Sequence, residues 1–379
     1  MDLYRHSIEV ILKNQAASGA YLASPAFATY HYCWLRDGSF IAYAMDQVGE
    51  VESAERFYRW VGRTVKRYSE KVDLLEAQLK AKKAPDRNCI LNTRFTVEGF
   101  EETDDNEWGN FQVDGYGTWL WGLVQHVKTS GNVLLLDELI EPINTTLRYI
   151  KLVWQQPNYD CWEEHPEFLH PYSLATLYGG LAAIAEMQAA GNLQGCTFDA
   201  KALASEIKEF LSKNALIDGR FVKHLWPAKG KQTVKPVDES GVDASLLGLA
   251  VPYGVFNLND PRIIATIAGI EKDLRFPNGG VYRYREDVYY GGGEWILLSA
   301  WLGWYYSLSD RNEKAIELLD WIESTADENG DLTEQVNDHL LAPGHYEIWL
   351  KKWGEVANPL LWSHAMYLVL VNALKKYRE

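Results

Sequence analysis

At 379 residues the chain allows two or three average domains, or one large barrel. Its 37 basic against 52 acidic side chains leave a formal charge of −15, which argues against nucleic acid or an anionic membrane as a partner, since both select basic patches. Four cysteines without CxxC or Cys/His spacing argue against a disulfide framework and a zinc motif.

Helical periodicity dominates in chain order. Twelve segments are predicted: 2–15, 35–49, 52–81, 114–129, 134–155, 171–190, 198–214, 242–251, 260–273, 292–308, 311–326 and 359–377. The first reads as a helix and not a signal peptide, because it has neither a long apolar core nor a cleavage-site pattern. No apolar run reaches membrane-spanning length, so a cytoplasmic location is expected. Asp310 is expected to cap the eleventh helix, and Pro359 to stand in the first turn of the twelfth. Ala315, Leu318, Leu319 and Ile322 share one face of the eleventh. Short strands are expected only at 219–226 and 280–284. Segment 68–84 reads as a solvated continuation of its helix.

Long loops recur about once per helix pair, at 18–34, 86–113, 156–170, 219–241, 274–291 and 327–358. Six helical hairpins with their long loops on one side predict an all-α (α/α)6 toroid in a single domain, residues 1–379, with the loops meeting at one mouth. Periodicity alone leaves other all-α arrangements open.

The loops carry the chemistry. Tyr30 to Asp37 (Tyr-His-Tyr-Cys-Trp-Leu-Arg-Asp) offers a stacking face at Trp34 and a donor–acceptor pair at Arg36 and Asp37 that suits vicinal hydroxyls. Trp108 to Tyr116 adds Trp108. Tyr159 to Glu164 (Tyr-Asp-Cys-Trp-Glu-Glu) sets Asp160, Glu163 and Glu164 around Trp162. Arg283 to Trp295 contains Arg283 and three consecutive glycines that lack the spacing of a phosphate-binding loop. A distant acid, Glu334, stands in Thr-Glu-Gln. Each cluster alone also fits an ordinary capped helix start or charged loop. Two acids from distant segments, beside aromatic rings, are what glycosidic cleavage needs, because one must be protonated while the other is ionised.

Together and in this order, the clusters resemble glycoside hydrolase family 15, the glucoamylases, glucodextranases and their relatives. The matches are Tyr-x-Tyr-x-Trp-x-Arg-Asp at 30–37, Trp-Gly-x-x-Gln-x-Asp-Gly at 108–115, Tyr-Asp-x-Trp-Glu-Glu at 159–164, Arg-Tyr-x-Glu-Asp-x-Tyr-Tyr at 283–290, and Glu-Gln at 334–335. The segment at 243–247 is also similar. The resemblance implies an (α/α)6 barrel and an inverting, exo-acting α-glucoside hydrolase that releases β-glucose. It implies Glu163 as general acid and Glu334 as general base. Arg36 and Asp37 would hold the non-reducing glucose, Trp34, Trp108 and Trp162 would line the pocket, and Arg283 would add hydrogen bonds. Asp160 and Glu164 would support the acid or touch the next sugar, and Tyr30 would steady the attacking water. Glu163 is expected to have a raised pKa and Glu334 to stay ionised.

Neither the N-terminal β-sandwich of many prokaryotic relatives nor a separate starch-binding module is expected, which favours short soluble gluco-oligosaccharides of the maltose or isomaltose type. The long loop 327–358, with Trp349 and Trp353, is expected to close one side of the pocket. No cofactor or metal is implied, and oligomeric state is not readable. The competing readings are a trehalose hydrolase of the same family, a catalytically silent sugar-binding protein on the same toroid, and an (α/α)6 lyase for acidic sugars. The last is disfavoured by the negative charge.

Overall fold

The protein is described by a computed structural model covering residues 2–83, 85–86, 88–102, 109–230, 232–238 and 241–375. Among them lie the helices α1 (Leu3–Lys13), α2 (Leu35–Gln47), α3 (Val51–Arg67), α4 (Ser69–Lys80), α5 (Asp114–Ser130), α6 (Leu134–Glu138), α7 (Ile140–Val153), α8 (Pro171–Ala189), α9 (Ala200–Asn214), α10 (Pro261–Asp273), α11 (Ile296–Leu308), α12 (Asn312–Ser324), α13 (Tyr346–Trp353) and α14 (Leu361–Lys375).

The amino-acid pattern sorts these helices into two rings. In α11 every residue but Leu308 is buried, and in α2 every residue but Tyr43 and Gln47. A helix apolar nearly all round has to be covered on all sides. The inner ring runs α2, α5, α8, a 3-10 turn at Ala244–Leu249, α11 and α14, which returns to α2. The outer elements bury one stripe only. In α12 that stripe is Ala315, Leu318, Leu319 and Ile322, as the periodicity predicts, and each buried Leu or Ile contributes about 1.5–3 kcal/mol. This is the (α/α)6 barrel. The inner ring is tight where α5 meets α8: a Cβ on Gly117 would lie 2.2 Å from the Thr176 carbonyl oxygen.

Several boundaries differ from the sequence pattern. Segment 52–81 breaks at Tyr68 into α3 and α4, and α4 is more than a solvated extension because it buries Val72 and Leu75. Segment 134–155 breaks at Leu139. Segment 242–251 holds only the 3-10 turn, since Pro252 forbids helical continuation. Asp310 does not cap α12; it occupies the left-handed region (φ 58°), and the helix starts at Asn312. Pro359 precedes α14, which begins at Leu361. The loop 327–358 contains α13, none of whose residues is buried.

The strands are short antiparallel pairs: β1 (Cys33–Trp34) with β2 (Arg94–Phe95), β3 (Leu216–Ile217) with β4 (Arg220–Phe221), β5 (Leu225–Trp226) with β6 (Lys235–Pro236), and β7 (Glu294–Trp295) with β8 (Gln335–Val336). The strand expected at 280–284 is only a pair of isolated bridges at Val281. β1 leads directly into α2 and β7 into α11, so these ladders fix the loop ends where two inner helices begin.

Candidate active site

A cavity of about 320 Å³ opens at the loop end of the barrel, within the range of small-molecule sites. Five of the six long loops reach it. Among the described residues, the sixth, 219–241, contributes none to the lining.

The predicted residues Tyr30, Trp34, Arg36, Asp37, Trp162, Glu163, Glu164, Arg283 and Glu334 all line the cavity. Trp108 lies outside the described residues; its neighbour Gly109 is in the wall. Asp160 is not in the wall; of its two expected roles, supporting the acid and touching the next sugar, its position fits the first. It is buried beneath the loop, where its Oδ1 accepts the backbone N–H of Trp162 and of Glu164, each at 2.9 Å. A carboxylate that accepts local backbone donors organises a turn. Here the turn holds Glu163 at φ 68°, a backbone state that costs a non-glycine residue on the order of 1 kcal/mol or more.

The two candidate catalytic acids hang from adjacent aromatic rings. Trp34 donates its indole N–H to Glu163 Oε1 at 2.6 Å, and Tyr30 donates its hydroxyl to Glu334 Oε1 at 2.9 Å. The two rings meet edge-to-face with centroids 5.6 Å apart. The Tyr30 hydroxyl also lies 2.9 Å from that of Tyr289. Burial pushes the Glu334 carboxyl up to about 8, against the pull of the Tyr30 hydrogen bond and of Arg283. This runs against the expectation that Glu334 stays ionised. The residue is 3% exposed, and desolvation outweighs the donors near it.

Arg36 is enclosed. It donates to Asp114 Oδ2 at 3.0 Å and to Gln112 Oε1 at 3.2 Å. Its Nε and Asp37 Oδ2 lie 3.2 Å apart without hydrogen-bond geometry, and neither atom has another partner within the protein. Burial raises Asp37 to about 6, although Arg36 opposes it. Arg283 is clamped by Asp287 through Nε at 2.7 Å and Nη2 at 2.5 Å, with Glu164 3.6 Å away. The Tyr284 hydroxyl donates to Glu164.

The three glycines are explained by space. A Cβ on Gly292 would meet the Asp287 carbonyl oxygen at 2.4 Å, and one on Gly293 the Val336 carbonyl oxygen at 2.3 Å. They let the chain pass between the Asp287 clamp and β8, which carries the residue next to Glu334.

Several lining residues carry no role in the sequence reading. Among them Tyr289, Trp295 and Trp362 complete the aromatic wall. Trp295 Nε1, Trp362 Nε1 and Glu334 Oε2 are buried donors and acceptors without a protein partner. Only their position between glycines and inner helices, invisible in one sequence, would have marked them. Trp349, Lys352 and Trp353 of α13 form another side, and Trp349 packs edge-to-face on Tyr289 at 5.0 Å. The wall is thus aromatic, with charged and polar side chains among its lining residues and two carboxyls on separate loops.

A family model described as glycosyl hydrolases family 15 matches residues 1–372. The isomaltose glucohydrolase of Kribbella flavida is 41% identical over 376 residues, spanning 98% of this chain and 92% of that enzyme. A trehalase of Thermoplasma volcanium is 23% identical, and the match covers only 48% of its length. A solved wild-type glycosidase superposes with a TM-score of 0.90 at 40% identity, covering 99% of this chain and 96% of that one. A Glu-to-Ala variant of a glycosidase in complex with glucose fits equally well, with TM-score 0.90 and 40% identity over the same shares of the two chains. A bacterial glucoamylase complexed with acarbose shares the fold at 20% identity, with TM-score 0.76 over 99% of this chain and 55% of that one.

Proposed function

This chain belongs to glycosyl hydrolase family 15, and from that premise we propose that it is an inverting, exo-acting α-glucosidase acting on isomaltose and similar short gluco-oligosaccharides. The observation that carries the reading is the pair Glu163 and Glu334 in one aromatic cavity, each tethered by a separate ring donor. The name of the 41% identical relative supports the α-1,6 linkage.

In this mechanism Glu163 protonates the glycosidic oxygen as the bond breaks. The Trp34 N–H fixes one oxygen of its carboxyl and leaves the other for the leaving group. Glu334 takes a proton from a water that attacks the anomeric carbon from the opposite face. An inverting pair needs room for that water, roughly 6.5–9.5 Å between carboxyls. Tyr30, bonded to Glu334, lies within reach of the same water. Arg36 and Asp37 line the cavity and hold the non-reducing glucose. The developing oxocarbenium charge faces the π surfaces of Trp162 and Trp295 and the carboxylate of Glu334.

Glu334 has to be ionised to act as a base, so its raised pKa makes the free enzyme more competent as pH rises toward 8. Trp349, Lys352 and Trp353 border the cavity where a leaving sugar exits, which supports disaccharides over polymers. The four cysteines are free and buried, and no helix among the described residues is long and apolar enough to cross a membrane. The unpaired thiols support a reducing, cytoplasmic location. We also take the barrel to act as a single catalytic domain.

Glu163→Gln and Glu334→Gln test the assignment. Each should fold normally and lose about 10²–10⁴-fold in kcat; either variant retaining most of its activity refutes it. A panel of isomaltose, maltose, trehalose and longer oligomers should show isomaltose preferred, and a preference for polymers or for trehalose rejects the substrate reading.

A further inference from the structure

We propose that Asp160, His170 and His224 form a binding site for a divalent transition metal, zinc foremost, that braces the loop carrying Glu163. The three side chains come from different segments: the acid loop, the residue before α8, and the stretch between β4 and β5 in the one long loop that does not reach the cavity. One ligand atom from each lies within 4.8 Å of the other two. Some point is therefore within about 2.8 Å of all three, and shifts of well under 1 Å bring it to the roughly 2.0–2.2 Å of zinc–nitrogen and zinc–oxygen bonds.

The donor chemistry fits. All three residues are buried, at 4%, 2% and 4% exposure respectively. The Oδ1 of Asp160 is occupied by the two loop N–H groups, whereas its Oδ2 has no protein partner. His170 Nε2 lies 2.7 Å from the Asn158 carbonyl oxygen, to which it donates its proton. This leaves its Nδ1 to accept the Nδ1–H of His224 at 3.0 Å, a proton that a bound metal would displace. A ring nitrogen fixed by a carbonyl, with the other turned to a shared point, is the outer-shell pattern of metal-ligating histidine. Two imidazoles and one carboxylate select zinc or cobalt over calcium or magnesium, which prefer oxygen. The buried Lys223 ammonium opposes a cation here. It is compensated by Asp243 at 3.4 Å and seated over the Tyr284 ring.

The metal would touch no substrate. It would tie the Asp160 turn to the start of α8 and to β5, making Asp160, His170 and His224 positioning residues. The test is metal content by mass spectrometry of untagged protein produced in zinc-supplemented medium, together with the visible spectrum of the protein loaded with Co²⁺. About one zinc per chain and a tetrahedral Co²⁺ band are expected. His224→Phe and His170→Gln should each lower the metal content about tenfold, with wild-type far-UV dichroism confirming their fold. Wild-type protein without stoichiometric zinc and without the Co²⁺ band overturns the proposal whether or not the variants fold. So does metal retained in both folded variants, since it would then sit elsewhere. Neither readout depends on glycosidase activity, so failure here leaves the enzyme assignment untouched.

Discussion

Replacing Glu334 by glutamine should stabilise the protein at alkaline pH while abolishing turnover. The folded carboxyl titrates at about 8 against an ordinary 4.5. Below pH 4.5 the group is protonated in both folded and unfolded chains, so it costs nothing. Between 4.5 and 8 the unfolded chain ionises while the fold retains the proton, so stability falls as pH rises. Each pH unit of that window removes ~1.4 kcal/mol, and the full window amounts to on the order of 5 kcal/mol. Glutamine has nearly the same shape and no charge, so it escapes this loss. Asp37 and Asp160, also raised by burial, remain in both proteins and largely cancel in the comparison. Urea unfolding of wild type and Glu334→Gln from pH 5 to pH 8.5 should show an advantage for the variant of under about 1 kcal/mol at pH 5 that grows steadily up to pH 8. A difference that stays constant with pH, or a variant less stable at pH 8, refutes the argument that burial stores free energy at this acid.

Further outcomes follow from the same geometry. The ascending limb of kcat/KM against pH reports the base of the free enzyme. It should lie above the ordinary carboxylate range, and Tyr30→Phe should move it further alkaline because the hydroxyl holds the Glu334 pKa down. Trp34→Phe keeps a stacking face but removes the N–H at Glu163; a steady-state analysis should show kcat falling about tenfold or more with KM little changed. Gly293→Ala drives a methyl into the Val336 carbonyl and should cost about 2 kcal/mol in a denaturation experiment, with loss of activity from displacement of Glu334. Trp349→Ala should raise KM for isomaltose more than it lowers kcat, and narrow the gap between disaccharide and longer substrates.

The barrel was legible because helical periodicity survives in nearly every element, and the α12 stripe is the clearest case. What misled was local chemistry overruled by packing. Asp310 has a capping side chain but sits at a left-handed corner. Residues 242–251 have helical patterning, but Pro252 cuts them to a 3-10 turn. α13 hid in a loop because none of its residues is fully buried, although Trp349 packs on Tyr289. At the site, motif residues identified the cavity wall well, since stacking rings and acids recur at fixed spacings. The sequence could not show that Asp160 faces inward to brace a turn, because a Tyr-Asp-x-Trp-Glu-Glu run carries no sign of which carboxylate points to solvent. Nor could it show that desolvation would fall on Glu334. Its burial is imposed by β7–β8 and by the glycines that let them close. The meeting of Asp160, His170 and His224 depends on a loop far downstream and has no ligand spacing to reveal it.

The central claim is that Glu163 and Glu334 act on opposite faces of one anomeric carbon. Proton NMR of isomaltose hydrolysis, followed in the first minutes before mutarotation, tests it directly. β-Glucose is expected in initial excess over its equilibrium share, because the non-reducing unit leaves as the β anomer while the reducing unit leaves as the anomeric mixture it already carries. An initial excess of α-glucose over that mixture, or no release of glucose from any α-linked disaccharide, contradicts it.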